Sequence, residues 1–240
     1  MKTLVGIDMG MCSPAMAIVN FETCRIDCFA WAQRKRENSF GKQSWKLDIR
    51  NLPAPWSSLK TFTLHLQSSA PKKPDRIAKM HNVVFTLLAH LQNYTKPGKH
   101  TWLAIENYAY GMQSSSTTKL AELGGILRHE LWTHEFGFKE PAPNRIKAKF
   151  ANHGHASKVD MWNRFRELGF PDLLHHLGLQ PKKDGIPHPV EDVVDAVAIA
   201  YATWADRQPG ASQPKKRKKR KRKQKEDPKE KPKKRQRKTK

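Results

Sequence analysis

The order of apolar segments along the chain constrains its fold more than any other feature. Three short apolar segments, TLVGID, AMAIVNF and CRIDCFAW, fall within the first 31 residues and are joined by short links. Such runs predict a meander of β-hairpins. Segments of helical spacing and of strand length then follow one another towards the C-terminus. We therefore predict an α/β fold, in which helices cover a sheet.

The central elements are assigned from the spacing of their apolar residues. DRIAKMHNVVFTLLAHLQNY is predicted to be an amphipathic helix with Asp75 as its cap, and TWLAIENYAYG to be the fourth strand. A second helix covers SSSTTKLAELGGILRHELWTHEFG. Its pair Gly124–Gly125 lowers helix propensity by about 1 kcal/mol per glycine relative to Ala. A tight backbone approach to another element would compensate for that loss.

The remaining segments complete the predicted domain, which spans residues 1–208. A short strand, a basic turn and a helix from about Ala156 follow the second helix, and HPVEDVVDAVAIAYATWA forms the last helix, ending near Arg207. Residues 33–73 are polar, and prolines interrupt any regular pattern there. We expect an irregular insertion or long loop in that region.

The positive charge is concentrated at the C-terminus. The chain has a formal net charge of +23, of which residues 215–240 contribute +15, so the preceding part still carries +8. Residues 209–240 contain repeated prolines and almost no apolar side chains, and we predict a disordered basic tail. A basic body with a basic arm indicates a polyanionic partner, nucleic acid before an anionic membrane. The tail is expected to bind nucleic acid non-specifically or to serve as an import signal read by a carrier.

The expected cellular compartment follows from three features that the sequence does not show: a membrane span, a secretory signal and a CxxC pair. No segment approaches the roughly 20 apolar residues of a membrane span, and the N-terminal segment turns polar at Asp8, too early for a secretory signal. The cysteines Cys12, Cys24 and Cys28 form no CxxC pair and are expected to be reduced thiols. We expect an intracellular protein that acts at DNA, in a prokaryotic cytoplasm, a nucleus or a viral factory.

Four carboxylates occupy positions that a fold of this class could bring together. Asp8 ends the first predicted strand, Glu106 ends the fourth, and Asp192 and Asp195 project from one face of the last helix. Hard oxygen ligands without cysteine select Mg²⁺ or Mn²⁺, and two such ions would clamp a phosphodiester. The alternative is that these acids are helix caps or solvated residues.

A set of ordered motifs favours the first interpretation. GIDMG, SPAMAIV, LAIENYAYG, KLAELGGILRHEL, RIKAKFANHGHASKVDM and EDVVDAVAIAYA resemble, in that order, RuvC-type Holliday junction resolvases, most closely the versions of phages and large DNA viruses. The resemblance spans roughly Thr3 to Ala205 without residues 33–73. It implies a ribonuclease H-like mixed sheet flanked by helices. It also implies a homodimer that nicks two strands of a four-way DNA junction symmetrically.

The resemblance assigns roles to individual acids. Asp8, Glu106, Asp192 and Asp195 match the four catalytic and metal-binding acids. By the resemblance, Asp8 and Asp195 would hold both ions, while Glu106 and Asp192 would orient water. Glu191, the neighbour of Asp192 on the last helix, is interpreted as a solvated residue. His188, before this helix, is interpreted as a loop residue, and the alternative is a catalytic role.

DNA-contacting residues are implied in two further segments. In NRIKAKFANHGHASK, the resemblance places Lys147, Lys149 and Lys158 on phosphates, and the alternative is that Lys147 and Lys149 are exposed residues of a strand or loop. Tyr108 and Tyr110 follow Glu106, where the family stacks an aromatic side chain on opened bases. The alternative is that one or both tyrosines pack within the strand.

These observations predict a metal-dependent, structure-selective endodeoxyribonuclease that resolves four-way junctions. Two ions of Mg²⁺, replaceable by Mn²⁺, are expected in each active site, with branched DNA as substrate and a second copy of the chain as partner. A broader debranching nuclease that cuts forks, flaps and Y-structures is the first alternative. The second is a non-catalytic packaging protein built on a decayed nuclease fold.

Overall fold

A mixed seven-stranded sheet forms the centre of the protein, in the order β4-β5-β3-β2-β1-β6-β7. The structure is a computed structural model, which describes residues 3–10, 13–32, 43–49, 52, 56–68, 75–107, 115–182 and 185–208. The pairs β1–β2, β2–β3 and β4–β5 are antiparallel, whereas β1–β6, β3–β5 and β6–β7 are parallel. The strands are β1 Thr3–Asp8, β2 Ala15–Asn20, β3 Arg25–Ala32, β4 Gln43–Asp48, β5 Thr61–Ser68, β6 Thr101–Ile105 and β7 Phe138–Lys139.

Helices lie on both faces of this sheet, which confirms the predicted α/β class. Their bounds are α1 Arg76–Tyr94, α2 Ser115–Thr133, α3 Pro143–Phe150, α4 Lys158–Glu167, α5 Leu173–His176 and α6 Val190–Ala205. A 3-10 turn spans Trp56–Ser58. None of the helices in the described ranges is long and apolar enough to cross a membrane.

The central strand β1 is buried on both faces, which explains its continuous apolar sequence. Leu4 belongs to a core cluster with α6 and α4, while Val5 and Ile7 belong to a second cluster with α1 and α2. A strand covered by helices on both sides has no solvent-facing row of side chains. The acid at the end of TLVGID therefore marks the point where the chain leaves the core.

Helix α6 lies directly against β1 because Gly6 has no side chain. A Cβ atom at Gly6 would lie 2.1 Å from the carbonyl oxygen of Ala196 and 2.6 Å from the backbone nitrogen of Ala200. The alanines on α6 are fully buried at this contact. The almost entirely apolar composition of the last helix is therefore explained by burial against the sheet, and its approach fixes the positions of the acids in its first turns.

The prediction of an irregular insertion over residues 33–73 is wrong for β4 and β5, which extend the sheet beyond β3. In β5 the sequence TFTLHLQS alternates, and Phe62, Leu64 and Leu66 are buried while the residues between them face the other side. The prolines and charges nearby obscured this alternation. Consequently the strand before Glu106 is the sixth, where we had predicted the fourth.

The basic segment is helical, where a short turn was predicted. Pro143 occupies the first turn of α3, where its missing N–H costs nothing. Ile146 and Phe150, four residues apart, are both buried and fix one face of the helix against the core. Lys147 and Lys149 consequently point in different directions from α3. Residues 209–240, predicted to be a disordered tail, lie outside the described residues.

Candidate active site

Two of the predicted acids lie side by side at the end of the sheet. Strands β1 and β6 are parallel neighbours, with Ile7 opposite Ile105. Asp8 and Glu106 come next on each strand, and the backbone N–H of Glu106 donates to the carbonyl oxygen of Ile7 at 3.3 Å. The carboxyl ends of parallel strands are a common position for functional side chains in α/β folds.

The other two predicted acids come from the start of α6. Asp195 immediately precedes Ala196, whose carbonyl lies against Gly6 of β1, so the close packing of this helix carries Asp195 to the end of the strand. Asp192, one turn earlier, is only 5% exposed although it is an acid. The structure thus brings together all four carboxylates that the sequence singled out.

Burial and neighbouring negative charges raise the pKa values of all four carboxylates. Burial raises the pKa of Asp8 well above its usual range, and the charges of Asp195, Glu106 and Asp192 raise it further. The pKa of Glu106 rises to about 7, first through burial and then through Asp195. Burial is also the largest cause of the raised pKa values of Asp192 and Asp195. This concentration of buried negative charge is unfavourable unless a cation neutralises it.

One protein cation already lies in this cluster. The Nζ of Lys158, the first residue of α4, contacts Oδ2 of Asp195 and lies 2.9 Å from Oε1 of Glu191. Burial lowers the pKa of Lys158, but the two acids outweigh that effect and raise it above its usual value. A capping box between Ser157 and Asp160 fixes the start of α4 and hence the origin of this side chain.

The positions of Lys158 and Glu191 differ from their interpretation in the sequence. Lys158 was expected to extend towards DNA phosphates, yet it contacts the acids themselves. Glu191 was interpreted as a solvated neighbour, but its side chain is only 23% exposed and accepts a contact from Lys158. The angle of Glu191 around the helix axis predicted that it would lie away from the site. That prediction did not include Lys158, whose long side chain reaches Glu191 from α4.

His188 contacts the cluster through Asp192. Its Nδ1 lies 2.7 Å from Oδ2 of Asp192, and this hydrogen bond is the largest cause of the raised pKa of His188. The hydroxyl of Ser13 donates to the other oxygen of Asp192 at 3.5 Å. The i, i+4 spacing of His188 and Asp192 was a signal of this pair in the sequence. His188 therefore lies in the turn before α6 and is hydrogen-bonded to one of the predicted catalytic acids, while a catalytic role for it stays a prediction.

The two lysines of α3 have different surroundings. The charge of Lys147 lowers the pKa of both Glu106 and Asp195, so it faces the acid cluster. Lys149 instead lies 3.6 Å from Asp206, which also binds Nε of Arg145 at 2.8 Å. The charge of Lys147 thus acts on the acids of the site, whereas Lys149 is paired with Asp206.

Two predicted DNA contacts cannot be placed. Tyr108 and Tyr110, expected to stack on opened bases, lie outside the described residues. The segment that leads to the two tyrosines starts at Glu106. Its first residue, Asn107, donates its backbone N–H to the carbonyl oxygen of Pro141 at 3.0 Å.

The donor set fits divalent cations such as Mg²⁺ or Mn²⁺. Asp8, Glu106, Asp192 and Asp195 offer only hard oxygen ligands, with the buried charge described above. Within the described ranges, no three His, Cys, Asp or Glu side chains are already grouped tightly enough to hold an ion. In this structure the ammonium group of Lys158 neutralises the carboxylate of Asp195, which a metal ion would otherwise do.

Solved structures with the same fold extend over most of the chain. The structure of Thermus thermophilus RuvC is 19% identical, with a TM-score of 0.50, and the match covers 85% of this chain and 95% of that one. RuvC of T. thermophilus in complex with a Holliday junction substrate is 18% identical, with a TM-score of 0.50 over 84% and 92%. These matches confirm the predicted ribonuclease H-like fold. No protein-family model and no curated protein matches the sequence.

Proposed function

We propose that this chain is a metal-dependent endonuclease that resolves four-way DNA junctions by paired nicks. The observation that carries the proposal is the cluster of four largely desolvated carboxylates at the carboxyl ends of β1 and β6 and the start of α6, each with a raised pKa. The basic character of the protein supports a nucleic acid substrate. The RuvC of the same fold in complex with a Holliday junction substrate supports branched DNA as its class.

The chemistry follows from the residues of the cluster. Asp8, Glu106, Asp192 and Asp195 would hold two divalent ions, which supply Lewis-acid stabilisation of the attacked phosphate and activation of water. His188 keeps Asp192 oriented through its hydrogen bond of 2.7 Å. Lys158 neutralises Asp195 in the metal-free protein, and we infer that its ammonium group turns towards the scissile phosphate once an ion binds the acids.

Cleavage of defined substrates tests the proposal. Purified protein with Mg²⁺ is incubated with a labelled four-way junction, a fork and a linear duplex of the same sequence. Paired nicks in the junction at a higher rate than in the fork support a resolvase. Equal rates on forks, flaps and junctions would make the protein a general debranching nuclease. Tight binding without cleavage in either Mg²⁺ or Mn²⁺ would favour the packaging alternative.

Lys147 and Lys149 provide a matched pair of variants for DNA binding. Lys147→Ala is expected to weaken junction binding several-fold and to reduce the slope of log affinity against log salt by about 0.9, because one phosphate contact is lost. Lys149→Ala removes the same charge two residues away, but that side chain is already paired with Asp206, which it shares with Arg145. Its effect should be much smaller. Fluorescence anisotropy at several salt concentrations measures both, and equal slopes for the two variants would contradict the assignment of Lys147.

The outer faces of α1 and α2 provide a surface for the proposed homodimer. Phe85 on α1 is 55% exposed and Trp132 on α2 is 75% exposed. A Cβ atom at Gly125 would meet nothing within 4 Å, so this glycine makes no close approach to any other part of the chain that the structure describes. Gly125 and Trp132 are seven residues apart and therefore share one face of α2, and a small residue on the face of an exposed aromatic favours the close packing of a second helix. A two-fold dimer would also present two active sites to a junction of nearly two-fold symmetry.

Trp132→Glu is expected to convert the dimer to a monomer, because a buried charge would replace a large apolar contact. Sedimentation velocity at micromolar concentration measures the change. Thr118→Glu, which adds the same charge at another exposed position of α2, is the control and should remain dimeric. A Trp132→Glu protein that sediments like the wild type would exclude this surface as the dimer interface.

A further inference from the structure

A cavity of about 480 Å³ lies between α4 and the segment that leads into α6. Val159, Trp162, Asn163 and Arg166 line one wall, with the i, i+3, i+4, i+7 spacing of a single helix face. The opposite wall includes Gln180 and Lys182, among other residues. Its volume falls in the range of about 300–1,000 Å³ in which proteins bind small ligands.

Each wall of the cavity includes a residue that is close along the chain to a side chain contacting the acid cluster. On the first wall, Val159 follows Lys158, whose Nζ contacts Asp195. On the second wall, Ile186 lies two residues before His188, whose Nδ1 is 2.7 Å from Oδ2 of Asp192. A group bound in the cavity would therefore be a near neighbour of the proposed scissile phosphate.

The side chains in the cavity match the chemistry of a nucleobase. Trp162 and the partly exposed Val159 supply apolar surface, while Asn163 and Gln180 are exposed amides that can both donate and accept hydrogen bonds. Arg166 is paired with Asp172 at 3.3 Å, which leaves Lys182 to supply positive charge for an adjoining phosphate. Apolar surface, amide edges and one cation are what an unpaired base and its phosphate would require.

We propose that this cavity receives an unpaired base of the DNA strand being cut, within one or two nucleotides of the scissile phosphate. The inference rests on the proposed nuclease function and adds a source of selectivity to it. Bases at a branch point are easier to unstack than those within a duplex. A nuclease that captures such a base beside its active site therefore prefers branched over linear DNA, without reading the sequence of the whole arm.

A double-mutant cycle between protein and DNA tests the cavity. Junctions carrying a single abasic site at each position around the cut are bound to wild-type protein and to the N163A/Q180A variant in Ca²⁺, and anisotropy measures affinity. At one position, the abasic site is expected to weaken wild-type binding about tenfold. The same abasic site should have no further effect on the variant. N93A, which removes an exposed amide from α1, is the control and should respond like the wild type.

The outcomes separate this inference from the proposed function. If no abasic position shows coupling to N163A/Q180A, the cavity does not bind a base, whether or not the wild type cleaves junctions. If the wild type cleaves no branched DNA, the nuclease proposal fails, while coupling in the binding assay would still identify a base-binding cavity. Coupling to N93A of the same size would overturn the assignment, because that side chain lies on a different helix.

Discussion

Asp8→Asn and Asp195→Asn are each expected to lower the rate of junction nicking by at least about 100-fold, since even residues that only support metal ligands contribute 10–100-fold. Each substitution removes one of the buried negative charges that make the cluster a cation site. The amide keeps the size of the side chain, so packing at the ends of β1 and α6 should be preserved. Single-turnover cleavage of a labelled junction with saturating protein and Mg²⁺ measures the effect.

A conservative substitution elsewhere provides the control. Asp75 caps α1 and accepts a hydrogen bond from the backbone N–H of Ile77. Asp75→Asn retains this cap, because Asn and Asp are equally good at that position, and should cut at the wild-type rate. Either cluster variant cutting as fast as Asp75→Asn would show that hydrolysis does not depend on these carboxylates.

Glu106→Gln is expected to stabilise the metal-free protein at pH 8 while it abolishes cleavage. The pKa of Glu106 in the folded protein is raised to about 7, chiefly by burial. Between about pH 4.5 and pH 7 the unfolded chain has lost this proton while the folded chain retains it, so stability falls as pH rises. By about pH 8 the loss is nearly complete and amounts to roughly 3 kcal/mol. The glutamine variant avoids this loss.

Urea denaturation at pH 5 and pH 8 measures the free energies of unfolding. The gain from Glu106→Gln should be large at pH 8 and small at pH 5. Mg²⁺ at pH 8 should stabilise the wild type more than the variant, because ligand binding to the folded state adds to its stability. Glu167→Gln, at an exposed residue of α4, is the control and should change little at either pH. An equal gain at both pH values would mean that the negative charge of Glu106 is not the destabilising factor.

Strand ends and helical spacing singled out the four acids, and the resemblance then favoured a common site over caps or solvated residues. Asp8 and Glu106 each follow an apolar run of strand length, and Asp192 and Asp195 share one helix face. Gly6 completes the explanation, because only a residue without a side chain allows α6 to lie on β1. The sequence showed this glycine but not the element that would pack on it.

Contacts between distant segments could not be predicted from the sequence. Lys158 and Asp195 are separated by 37 residues, and their contact depends on how α4 is set against α6. The pairing of β3 with β5 is parallel and joins segments with a polar link between them, so no hairpin signal identifies it. Lys147 and Lys149 looked equivalent until the helical form of α3 gave them different neighbours. Side-chain partners of this kind follow from packing and not from local pattern.

Anomalous scattering from crystals grown with Mn²⁺ tests whether the four carboxylates hold divalent ions. We expect Mn²⁺ density bounded by the carboxylates of Asp8, Glu106, Asp192 and Asp195, with the ammonium group of Lys158 moved away from Asp195. Crystals in which Lys158 remains on Asp195 and no Mn²⁺ lies among these four carboxylates, at concentrations that saturate the solution activity, would contradict this expectation.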